Sequence, residues 1–103
     1  MTINEFLANP MNYARDSMYN HKRVECNDGF SMSVQASEVH YCDPRETHAN
    51  YYESVEIGFP SEKEELLLEY AEEPDKPTHT VYGYVPVELV DEIIQKHGGF
   101  KEV

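Results

Sequence analysis

The sequence predicts an α+β fold: a small antiparallel sheet of four to five strands, short N-terminal helices, and a C-terminal amphipathic helix packed on one face. Three observations predict it. Residues 24–35 alternate apolar and polar on both sides of Asn27-Asp28-Gly29. Thr80-Val81-Tyr82-Gly83-Tyr84-Val85 is a second β-rich run, and Leu89, Val90, Ile93, Ile94 and His97 then recur at helical spacing before Gly98-Gly99. With 103 residues, 40% of them hydrophobic, the chain fits a single domain, 1–103, that can bury a core.

The hairpin can be derived closely. Asn27, Asp28 and Gly29 tolerate left-handed backbone, with Gly last. A three-residue loop pairs Cys26 with Phe30, Val24 with Met32 and Lys22 with Val34. Side chains alternate along strands, so Val24, Cys26, Phe30, Met32 and Val34 then share the core face. Arg23, Glu25, Ser31, Ser33 and Gln35 share the other. A two-residue loop would mix the faces, so the pattern selects the longer loop with Gly29 left-handed.

The remaining elements follow in chain order. Thr2 caps a first short helix, with Glu5 completing a capping box and Ile3, Phe6 and Leu7 as its apolar side. Pro10 ends it, and residues 11–19 read as a second short helix. Residues 36–50 show no clear pattern, with Cys42-Asp43-Pro44-Arg45 as a turn. Tyr51 to Phe59 alternates as a strand, with Tyr51, Val55, Ile57 and Phe59 inward and Tyr52, Ser54 and Glu56 outward. Ser61 and Glu64 have capping-box spacing. Leu66 to Ala71 fits a helix or a short buried strand, and three adjacent leucines favour the strand. Residues 72–78 are a polar loop. In the run 80–85, Val81, Gly83 and Val85 face one way and Tyr82 and Tyr84 the other, and Gly83 marks a bulge or a close approach to the backbone. Pro86 suits the start of the last helix and Gly98-Gly99 its end. Burying its four large aliphatic residues contributes about 6–12 kcal/mol gross, before entropy.

The net charge is −12, and residues 51–103 hold 13 acidic against 4 basic residues. All three arginines lie in the first half. Phosphate repels such a surface, which argues against direct nucleic-acid binding. No apolar run approaches the ~20 residues of a membrane span, and the N-terminus lacks a basic, apolar leader, so the reading is a cytoplasmic protein with no membrane association. Cys26 and Cys42 read as reduced thiols rather than a disulfide framework.

The sequence holds no reaction-defining motif, so the expectation is a non-enzyme with no cofactor. Cys26, His40, Cys42 and His48 are metal-ligand types, but their spacing fits no familiar zinc site. His40 and Cys42 lack an orienting acid for thiolate chemistry. A binding pocket is the better candidate. Arg23, Ser31, Ser33 and Gln35 on one hairpin face would line up with His40, Tyr41 and Arg45 from the following loop, and Tyr82 and Tyr84 would add stacking surfaces. Planar bases stack on Tyr, and Arg pairs with phosphate or base edges. The competing reading is an exposed polar sheet face with half-buried tyrosines at its edge.

The runs VECNDGFSMSVQASEVHYCDPR, VEIGFPS, EYAEE and TVYGYVPVELVDEIIQKHGG resemble a group of short acidic proteins of unknown function encoded by bacteriophages and prophages. The resemblance covers most of residues 22–99 and brings no established active site. It implies a tool against host defences in the host cytoplasm. The form expected first, because Arg and His cluster in residues 15–48, is immune evasion by sequestering a small nucleotide-type host defence signal. The other is an anti-CRISPR-type inhibitor, an acidic mimic that blocks a nucleic-acid-binding host defence protein. Tyrosine-rich sheet edges add the expectation of a homo-oligomer.

Overall fold

The computed structural model describes every residue except Asp16 and Val103. Its elements are helix α1 (Ile3–Ala8), strands β1 (Val24–Glu25), β2 (Ser31–Gln35), β3 (Ser54–Gly58) and β4 (Val81–Pro86), and helix α2 (Val87–Lys96). Two 3₁₀ segments, Pro10–Asn12 and Glu65–Tyr70, complete them. The four strands form one antiparallel sheet in the order β1-β2-β3-β4. The α+β expectation, with its short N-terminal helix and C-terminal helix, is therefore met.

The hairpin has the derived register. Val24 pairs with Met32 and Glu25 with Ser31, and the Cys26 N–H donates to the Phe30 carbonyl at 2.8 Å. Gly29 is left-handed at φ 96°. Val24, Cys26, Phe30, Met32 and Val34 are all buried, while Ser31, Ser33 and Gln35 are half-buried on the other face. In α1 the capping box forms as expected, between Thr2 and Glu5. The Ile3 N–H donates to Asp91 of α2 at 2.7 Å, which locks the two helices together. In α2, Val87, Val90, Ile93 and Ile94 are buried, and Gly98 and Gly99 end the helix with φ of 90° and 87°.

Four expectations are corrected. Among the described residues of 11–19 there is no α-helix, and only Met11 and Asn12 are in a 3₁₀ turn. After Pro10–Asn12 the chain loops back so that Tyr13 bridges to His21, and the Ala14 N–H donates to the Asn20 carbonyl. Ser17 Oγ accepts from the Tyr19 and Asn20 amides, a local bond that competes with helix. Asp16 lies outside the described residues. The leucine run is a 3₁₀ helix rather than a strand. The Glu64 carboxylate caps it, with no capping box from Ser61, and only Leu67 of the three leucines is fully buried.

The other two corrections concern strand parity. β3 begins only at Ser54, so Tyr52 precedes the alternation and is buried, bonded through its backbone to the Asn4 side chain. Tyr51 and Phe59 are exposed instead of inward, and Phe59 leaves the strand with φ 47°. In β4, Val85 pairs with Val55 and Tyr82 with Ile57, so three steps oppose two. The extra residue is the bulge expected at Gly83, and Tyr84 takes φ 53°. It resets the alternation, so Tyr82 and Val85 both point inward at 0% exposure while Tyr84 is 51% exposed.

Both sheet edges are covered within the chain. The tail covers β1 through the Cys26–Phe100 bridge and the bond from the Lys101 N–H to Glu25. Ala71 bridges to Tyr82, and the Glu72 N–H donates to Val81, along β4. No helix among the described residues is long and apolar enough to cross a membrane.

Candidate functional site

The nine predicted site residues fall into three groups. Arg23, Ser31, Ser33 and Gln35 do share one face, but their polar groups have partners within the sheet. Arg23 donates to Ser31 Oγ at 2.9 Å and to the Ser31 and Phe59 carbonyls. Gln35 donates to Ser33 Oγ and the His21 carbonyl and accepts from the His21 N–H at 2.6 Å. His40 and Tyr82 form a second, buried group. His40 Nδ1 lies 2.6 Å from Ser37 Oγ, and burial lowers its pKa. The Tyr82 hydroxyl donates to the Pro77 carbonyl from inside the core.

Tyr41, Arg45 and Tyr84 form the third group, and they meet at the surface. The Tyr41 and Tyr84 rings are 6.1 Å apart at 37°. The Arg45 guanidinium sits 5.4 Å from the centre of the Tyr41 ring, a cation–π arrangement. The backbone fixes the pair: the Tyr84 N–H donates to the Tyr41 carbonyl at 3.1 Å, and the Tyr41 N–H donates to Glu56 at 3.1 Å. The β4 bulge turns Tyr84 outward, and Tyr41 packs over Gly83, where an added Cβ would make ordinary van der Waals contact with it. A shallow, open depression of about 330 Å³ lies beside them, with Tyr70, Ala71 and Glu72 completing its rim.

A second cluster escaped the sequence reading. Glu64, 2% exposed, accepts from Lys96 at 2.8 Å and from His97 Nε2 at 2.8 Å. His97 Nδ1 lies 2.7 Å from Asp28, and Phe30 stacks on the imidazole at 4.0 Å. With an ionised carboxylate at each ring nitrogen, His97 can bond to both only as an imidazolium. Burial lowers its pKa, but the bonds to Glu64 and Asp28 outweigh that and raise it. Burial raises Glu64, and the bonds from Lys96 and His97 reverse this and hold it below the usual range. Asp28 is held low first by the Phe30 N–H and then by His97. The available signals were the capping-box spacing of Ser61 and Glu64 and the place of His97 on an apolar helical stripe, and neither points to a buried ion pair.

The thiols sit in environments unsuited to nucleophilic work. Burial, helped by Asp28, pushes Cys26 up to about 11, and burial also raises Cys42. Among the described residues no group of three or more His, Cys, Asp or Glu could hold a metal ion. No family model, curated protein or solved structure matches the chain.

Proposed function

We propose that this chain is a non-catalytic binding protein that docks on a basic protein surface through its Tyr41–Tyr84 face. The observation that carries this reading is a pair of adjacent exposed tyrosines on a molecule of net charge −12. Exposed Glu62, Glu69, Glu72 and Asp75 lie before, along and after the 3₁₀ helix that borders it, with Glu65 and Glu73 paired to Lys63 and Lys76 among them. Tyrosine supplies rigid contact area at low entropy cost, and surrounding carboxylates steer and select a cationic partner. Taken with the phage-type resemblance, the partner class is a nucleic-acid-binding host defence protein whose phosphate-binding groove the carboxylates occupy.

The alternative is sequestration of a nucleotide-type defence signal, and Arg45 over the Tyr41 ring favours it. Against it, Arg23 and Gln35 spend their donors inside the fold, and His40 and Tyr82 are buried.

The test is fluorescence anisotropy with a labelled arginine-rich peptide. Binding is expected at low salt, weakening as salt rises. It is also expected to weaken in a Glu62→Gln, Glu65→Gln, Glu69→Gln variant. Absence of binding at low salt overturns the reading. A rise in melting temperature with a cyclic or ADP-ribose-type nucleotide, without peptide binding, establishes the alternative in its place.

A further inference from the structure

We infer that the pocket between Tyr41, Tyr70 and Tyr84 is a seat for one organic cation, the guanidinium or alkylated ammonium group of a partner's side chain. The inference rests on the basic-partner reading and adds the chemistry of its central contact. Three tyrosines and one carboxylate, Glu72, line the depression of about 330 Å³ with Gly83 and Ala71. A cation within about 6 Å of several ring centres is attracted by each ring's quadrupole, and a carboxylate at the rim supplies the countercharge.

The seat is built before any ligand arrives. The bulge and the Tyr84-to-Tyr41 backbone bond hold two rings 6.1 Å apart. The Ala71–Tyr82 bridge and the Glu72-to-Val81 bond hold the third wall against β4. Little ordering cost then remains for binding. Arg45 lies over the Tyr41 ring without lining the depression, so that ring already accepts a guanidinium inside the chain. Glu72 disfavours a phosphate here. A primary ammonium is strongly hydrated, which leaves guanidinium and methylated ammonium as the groups that lose least on entry.

The probe is choline, set against its neutral carbon isostere dimethylbutanol, with backbone amide shifts as the readout. Choline is expected to shift Tyr41, Gly83 and Tyr84 saturably, and the isostere to leave them unmoved. Tyr84→Ala is expected to weaken choline about tenfold, and Tyr84→Phe to keep most of the affinity because the ring quadrupole survives. Glu72→Gln, at an exposed position, provides a second variant and is expected to weaken choline while leaving the isostere's response unchanged. Equal shifts from the isostere, or shifts confined to other residues, overturn the seat. Arginine-rich peptide binding that persists without any choline response removes the seat and leaves the basic-partner reading. A choline response without peptide binding does the reverse.

Discussion

The Asp28–His97–Glu64–Lys96 cluster and the Tyr41–Tyr70–Tyr84 pocket are made from the same kinds of group. Each sets aromatic rings against carboxylate, and a cation lies within the first and, as Arg45 over the Tyr41 ring, beside the second. In the first, Phe30 stacks on His97, and every charge has its partner inside the chain. It joins the hairpin tip, the end of α2 and the start of the 3₁₀ helix, elements far apart in sequence. In the second, two rings are exposed and Glu72 has only its backbone tied down. Ionisable groups paired in the interior hold elements together, since removing one member strands the others. The same groups left open on a rigid frame are available to a ligand. The density of charge does not tell these two uses apart; the presence of internal partners does.

The largest expected effect tests the first half of this contrast. Glu64→Ala leaves a buried imidazolium short of a partner and uncaps the 3₁₀ helix, and should cost about 3 kcal/mol in urea denaturation. A loss well under 1 kcal/mol would put Glu64 in the same class as a surface carboxylate.

The pH dependence of the cluster comes next. His97 is raised in the fold, so its contribution is present below its ordinary value of 6.5 and fades as pH rises through the folded value. Glu64 and Asp28 are lowered, so theirs is present above their ordinary 4.5 and 3.8 and fades as pH falls through the folded values. The stability gap between wild type and His97→Gln should therefore be wider near about pH 5.5 than near about pH 9. A gap that stays flat over that range would mean His97 is not the bridging cation. Taking the difference cancels His21 and His40, whose pKa values burial moves the opposite way.

The smallest effect sharpens the second half. Tyr84→Ala should change stability by no more than about 0.5 kcal/mol, because its ring is exposed and its backbone bond to Tyr41 does not need the side chain. Thermal denaturation measures it. A loss of several kcal/mol would make the tyrosine face a structural element and erase the contrast.

Much of the fold was legible from local signals. The hairpin register followed from Gly29 and two alternating runs, and α2 from its apolar stripe and the two glycines after it. The bulge was legible at Gly83 as well, although its consequence was not: one inserted residue carried Tyr82 into the core and left Tyr84 outside. The candidate site was legible in part. Tyr41, Arg45 and Tyr84 meet as expected, but Tyr70 and Glu72 reach them only because residues 71–72 pair with β4. Arg23 and Gln35 looked available because a sequence does not show which backbone carbonyls will lie within their reach.

By itself the sequence determined what depends on near neighbours: the hairpin and its faces, the capped first helix, the amphipathic last helix and the acidic balance of the second half. These follow from backbone preferences and from periodicities of two and 3.6 residues, which act over a few positions. Only the tertiary structure decided which polar groups are spent and which are open. Glu64 meets His97 across 33 positions, and Arg23 meets the Phe59 carbonyl across 36. Such pairings arise from how the elements pack, and no local preference encodes them.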